Sequence, residues 1–89
     1  MNIKIATGKA IRHYRQNIKL SRRLAAERAG ISEIFWNKFE SGERGVSLET
    51  LESIAPVVGA TMAEVMDKAA FFLQEVTPES IQDGKTVND

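Results

Sequence analysis

Eighty-nine residues provide one domain and too little chain for two, and 43% hydrophobic with 27% charged residues is the balance of an ordinary globular fold. The lack of cysteine excludes disulfides and thiolate zinc sites, and no apolar run approaches the roughly 18 residues that span a bilayer. The formal net charge is zero, yet residues 1–44 carry ten Lys and Arg against four Glu (+6), and residues 45–89 carry two Lys against eight Asp and Glu (−6). Segregation of this kind points to a nucleic-acid face on the basic half, with a plain solvated surface as the alternative.

The start, MNIKIATGKA, lacks the apolar core of a signal peptide, so a cytoplasmic protein is expected. Residues 2–6 alternate polar and apolar, which predicts a short extended arm over residues 1–6. Thr7 offers an N-cap, and Ala10, Ile11, Tyr14 and Ile18 recur at helical spacing, predicting a first helix from about Gly8 to Asn17. Lys9, Arg12, His13, Arg15 and Lys19 occupy its other faces. His13 is the single histidine and has no companions for a metal site, so neither metal nor cofactor is expected.

The stretch from Leu20 to Gly42 reads as helix, tight turn and helix, the arrangement that places a helix in a DNA groove. Ser21 caps the second helix, and Arg22 and Arg23 follow at its first two positions. Two cations there oppose the helix dipole at a cost of a few tenths of a kcal/mol each. Phosphate oxygens would satisfy both arginines and the free N–H groups of that helix start; two solvated surface arginines are the plainer alternative.

Ala25, Ala26 and Ala29 allow close approach to a neighbour, and Gly30 supplies the positive φ of a tight helix end. Ser32 caps a third helix, with Glu33 placed well against its dipole. Trp36 and Phe39 share one face and read as core, with Phe35 flanking them. Glu33, Ile34, Asn37, Lys38 and Ser41 project on the opposite face, the functional candidate. Lys38 can donate to guanine, Asn37 can pair with adenine, Ile34 can pack on a thymine methyl, and Glu33 can accept from cytosine or simply serve the dipole.

Gly42 ends that helix, and a loop containing Arg44 and Gly45 follows. Ser47 caps a fourth helix with Leu48, Leu51, Ile54, Ala55 and Val58 as its inward stripe, and Pro56 should kink or loosen the last turn before Gly59. Thr61 and Glu64 form a capping box for a fifth helix running to Val76. Met62, Val65 and Met66 finish the core; Ala69, Phe72, Leu73 and Val76 run past it and read as a dimer interface, or else fold back onto their own core. Thr77-Pro78 stops the helix, leaving residues 77–89 as a flexible tail beyond a domain at 7–76.

From Ile11 to Met66 the chain resembles the Cro/lambda-repressor-like helix-turn-helix family, often called the XRE type. The residues that carry the resemblance are Ile11-Arg12 with Arg15, Leu20-Ser21, the run Ala26 to Ser32, Lys38 with Glu40 and Gly42, Ser47 to Leu51, and Ile54-Ala55 with Gly59. The resemblance implies an all-α, compact five-helix bundle with a central helix-turn-helix, which binds double-stranded operator DNA as a homodimer and controls transcription. It further implies an ion pair between Arg15 and Glu40, base-edge contacts from Glu33, Ile34, Asn37 and Lys38, and phosphate contacts from the start of the second helix and the loop after the third. Together with outward placement and charge, this makes Arg22, Arg23, Ser32, Glu33, Ile34, Asn37, Lys38, Ser41 and Arg44 the expected DNA-binding set.

The chain departs from the family pattern where Arg22 replaces the usual glutamine, where Ala25 replaces leucine, and where Trp36 and Phe39 replace isoleucines. The two enlarged side chains are expected to fill the space that Ala25 leaves. Other roles open to the same fold are an antitoxin that pairs with a toxin through the Phe72-to-Val76 stripe, a restriction-modification controller, or a phage repressor. An enzyme is not expected: the chain has one histidine, no phosphate-cradling glycine loop and no evident carboxylate pair.

Overall fold

In the computed structural model, which describes residues 1–74, a short polar side chain caps each helix: α1 (Ile3–Asn17) behind Asn2, α2 (Arg22–Ala29) behind Ser21, α3 (Glu33–Ser41) behind Ser32, α4 (Leu48–Val57) behind Ser47 and α5 (Met62–Leu73) behind Thr61. Each cap accepts a backbone N–H three residues on, which is worth about 1 kcal/mol apiece. At α5 the cap is reciprocal: Thr61 Oγ1 accepts from Glu64 N at 3.0 Å, and Glu64 Oε1 accepts from Thr61 N at 2.9 Å. The result is an all-α bundle of five helices with α2 and α3 as its helix-turn-helix, and no strand among the described residues.

The extended arm expected at residues 1–6 is not formed. α1 begins at Ile3, because Asn2 Oδ1 captures Ile5 N at 2.9 Å and the helix then carries Ala6, fully buried, onto the same face as Ala10. Five residues of alternation are too few to tell a strand from a helix start, and a strong cap decided between them. At the other end, α5 ends at Leu73 with Gln74 as its C-cap, short of the expected Val76. Val76 and the tail assigned to residues 77–89 lie outside the described residues.

α1 runs through the middle of the assembly, packing on α5 along one side and on α3 along the other, while α2 bridges α3 and α4. The core collects Ala6, Ala10 and Ile11 from α1, Ala25 and Ala26 from α2, Trp36 and Phe39 from α3, Leu51, Ile54 and Ala55 from α4, and Val65 and Ala69 from α5. The Tyr14 hydroxyl ties α1 to α5 by donating to Glu64 O at 3.3 Å. Its pKa is held above the ordinary tyrosine value, first by burial and then by the carboxylates of Glu64 and Asp67. Pro56 sits inside the last turn of α4, which stays helical to Val57. The turn closes through Val58 N to Ala55 O at 3.1 Å and Ala60 N to Ala55 O at 3.0 Å, with Gly59 left-handed at φ 73°.

Two backbone positions set how closely the elements approach. At Gly8, an added Cβ would lie 2.3 Å from Phe39 O and 2.6 Å from Glu40 O, so α1 crosses α3 with backbone against backbone. Lys19 closes α1 in the left-handed region at φ 57°, as Leu20 N bonds back to Arg15 O at 3.1 Å, and a side chain there costs about 1 kcal/mol that glycine would not. Gly8→Ala should therefore lower Tm by about 10 °C or more, since neither backbone can yield without separating α1 from α3. Lys19→Gly should raise Tm by a few degrees, about 1 kcal/mol; thermal melts followed by circular dichroism check both signs.

Candidate nucleic-acid interface

The turn between α2 and α3 is built by Gly30, left-handed at φ 72°, with Gly30 N bonded to Glu27 O at 3.1 Å and Ile31 N to Ala26 O at 3.0 Å. α3 therefore leaves the turn with Ser32, Glu33 and Ile34 exposed at its start. Its inner face buries Trp36, Phe39 and Glu40. Its outer face exposes Ser32, Glu33, Ile34, Asn37, Lys38 and Ser41, and Ile34 is 71% exposed. A branched aliphatic side chain so open to water, in the middle of a polar row, is suited to meet an apolar surface such as a thymine methyl.

Beneath that row lies a charged hub. The Glu40 carboxylate is buried, with 4% of its side chain exposed. Oε2 accepts from Arg15 Nε at 2.5 Å and from Trp36 Nε1 at 2.6 Å, while Oε1 accepts from Arg15 Nη2 at 3.1 Å and Arg22 Nε at 3.2 Å. Arg15 also donates through Nη1 to Leu20 O at 2.8 Å, which anchors the chain just before α2. One carboxylate thus ties α1, α2 and α3 together, and no buried side-chain polar atom among the described residues lacks a partner.

Two of those bonds were not anticipated from the sequence. The indole N–H of Trp36 reaches Glu40 because the two are four residues apart on one helix face, a spacing that was legible. The link from Arg22 to Glu40 joins residues 18 apart, and nothing in the local pattern announces it. Arg22 remains 43% exposed, so this outer bond is worth less than about 1 kcal/mol and holds the guanidinium at the surface without committing it.

The remaining basic groups surround the outer row of α3. Arg23 is exposed on the first turn of α2, which carries no acidic residue to offset it. Arg44 lies over the Phe35 ring at 4.6 Å, and Phe35 is tilted against Phe39 with centroids 5.3 Å apart, so the loop after α3 presents its cation from an aromatic support. Ser41 Oγ donates to Lys38 O at 3.2 Å and accepts from Glu43 N at 3.3 Å, shaping the start of that loop. Arg12, Arg22, Asn37, Glu40 and Ser41 line an open cleft of about 250 Å³ where α1, α2 and α3 meet.

The apolar residues expected as a dimer interface divide differently. Ala69 is 2% exposed and belongs to the core of its own chain, and Phe72 is half-buried with the Lys9 ammonium 4.8 Å from its ring centre. Phe72 packs beside Lys9, Arg12, His13 and Gln16 of α1, which folds it back against its own chain. Of the expected set within the described residues, Leu73 stays exposed, and both it and the buried Ala69 line an apolar groove of about 140 Å³ with Ile3, Thr7, Met66 and Ala70. Among the described residues no His, Cys, Asp and Glu side chains gather in a group that could hold a metal ion, and no helix is long and apolar enough to cross a membrane.

The helix-turn-helix domain family matches residues 7–67, and the chain belongs to this family of DNA-binding transcription regulators, in its Cro/lambda-repressor-like form. Among solved structures, the chain is similar to the clp gene regulator ClgR from Corynebacterium glutamicum, with 28% identity and a TM-score of 0.80 over 86% of this chain and 99% of that one. A second ClgR structure gives 27% identity and a TM-score of 0.79 over 97% of this chain and 85% of that one. The restriction-modification controller protein C.AhdI from Aeromonas hydrophila shares the fold, with 24% identity and a TM-score of 0.64 over 68% of this chain and 92% of that one. No curated protein matches the chain in sequence.

Removal of Glu40 should expose how unequal its partners are. Glu40→Ala leaves the buried Arg15 guanidinium without a counter-charge and is expected to cost about 3–5 kcal/mol, whereas Arg22→Ala should cost less than about 1 kcal/mol. Urea denaturation of the two variants measures the difference.

Proposed function

We propose that this chain is a sequence-specific transcriptional regulator that binds a two-fold symmetric DNA operator as a homodimer, and acts in the cytoplasm by binding rather than by catalysis. The observation that carries this reading is the outer row of α3, where Ile34, Asn37 and Lys38 stand clear of the protein between basic flanks at Arg12, Arg22, Arg23 and Arg44. Base edges need donors, acceptors and an apolar contact on a helix that enters the major groove, and this row supplies them. The flanks supply the sequence-independent attraction to phosphate that a neutral whole chain would otherwise lack. Similarity to a gene regulator at 28% identity supports the same reading.

One such unit meets too few base pairs to be selective, which favours two copies reading half-sites about 34 Å apart. The apolar groove beside Ile3, Met66 and Leu73 is the surface we assign to the second copy. The competing occupant of that surface is a different protein, such as the toxin of a toxin–antitoxin pair. Sedimentation equilibrium separates the two: a dimer at micromolar concentration supports the homodimer, and a monomer that pairs only with a co-expressed protein overturns it.

Gel shifts with fragments from around the chain's own gene test the whole reading, and equal binding to all sequences would sink it. Lys38→Ala and Asn37→Ala should each relax preference at one base position, about 1–3 kcal/mol of discrimination per good contact. Arg23→Ala should leave the preference intact and reduce the slope of log K against log salt by about 0.9 per protomer.

A further inference from the structure

We propose that the cleft at the junction of α1, α2 and α3 seats a single backbone phosphate of the bound DNA between Arg12 and Arg22, and that Arg22 moves off Glu40 to reach it. The inference rests on the DNA-binding reading and adds to it a residue, Arg12 of α1, that lies outside the helix-turn-helix. The cleft opens beside Asn37 and Ser41 on the exposed row of α3, so a strand followed by that row passes over it. Its walls carry two exposed guanidiniums, from Arg12 and Arg22, and its other polar lining comes from Asn37 and Ser41.

Glu40 at the floor is the obvious objection, since a carboxylate repels a phosphate. Its charge is already met from behind by Arg15 through two bonds and from the side by Arg22, and Arg12 adds a third arginine to the lining of the cleft. The local balance is positive by two, and phosphate is the anion of DNA that such a site attracts.

The exchange of Arg22 is made possible by Arg15, whose Nη2 stays on the oxygen that Arg22 vacates, with Trp36 adding a second donor on the other. When Arg22 leaves, Glu40 keeps Arg15 Nε and Trp36 Nε1 on Oε2 and Arg15 Nη2 on Oε1, so neither oxygen is orphaned in the core. Arg22 is the most exposed of the three partners of Glu40 and is bonded by its Nε alone, leaving both terminal nitrogens to turn outward. The outer bond thus parks Arg22 at the mouth of the cleft in the free protein and is given up on binding.

Fluorescence-detected titration with an operator duplex, and with duplexes carrying one methylphosphonate at each backbone position in turn, tests this directly. Arg12→Ala and Arg22→Ala should each weaken binding at least fivefold. Their combination should weaken it by less than the product of the two, because both act on one phosphate. Neutralising that phosphate should weaken the wild type and leave the double variant unchanged. Trp36 is the single tryptophan and hydrogen-bonds Glu40, so its emission should shift on binding in the wild type and not in Arg22→Ala. Wild-type affinity for Arg12→Ala, losses that multiply, or no phosphate whose effect vanishes in the double variant would each overturn the shared seat while leaving DNA binding intact. A wild type that binds no duplex overturns the functional reading itself. Both variants replace exposed side chains, and cooperative thermal melts with midpoints well above the assay temperature confirm that binding is compared between folded proteins.

Discussion

Glu40 governs the arrangement of everything around it, because a carboxylate taken out of water must have its charge balanced and its oxygens filled. Arg15 from α1, Arg22 from α2 and Trp36 from α3 itself meet that demand, and the buried Arg15 can do so only with α1 set against α3. The outward tilt of α3 is thereby fixed to α1, the helix that also packs against α5. An apolar residue in place of Glu40 could fill the same volume, but it would not specify which helices meet there.

That constraint explains why close packing occurs where it does. α1 crosses α3 at Gly8, directly against the carbonyls of Phe39 and Glu40, while the Glu40 side chain reaches Arg15 about two turns further along α1. The large indole of Trp36 is fully buried in the same core as the small Ala25 and Ala26, and its N–H is a donor that an isoleucine could not supply. Rigidity beneath α3 leaves its outer row without structural duties, apart from Ser32 as cap and Ser41 at the loop. A surface excused from packing is one on which Ile34, Asn37 and Lys38 can serve a partner.

Local rules made much of this visible in the residues. Ser21, Ser32, Ser47 and the Thr61–Glu64 box announce helix starts, Gly30 and Gly42 announce ends, and the apolar spacing separates Trp36 and Phe39 from the exposed row. The start of α1 is less legible, because Asn2 and Thr7 are both cap-type residues; α1 uses the Asn2 cap, which also brings Ala6 into the shared core. The earlier start of α1 brings Ile3 alongside Ala69 and Leu73 in the apolar groove.

The sequence by itself determined the class of fold, the helix-turn-helix and its outward row, since caps, turns and amphipathic spacing depend on residues within a few positions of one another. The tertiary structure alone decided that Glu40 gathers Arg22 as well as Arg15, that Arg12 faces Asn37 and Ser41 across a cleft, and which apolar side chains of α5 remain open to water. These depend on where a helix lands against another helix distant in the chain. That landing is set by the fit of a whole core, in which the missing side chain of Gly8 and the bulk of Trp36 count together.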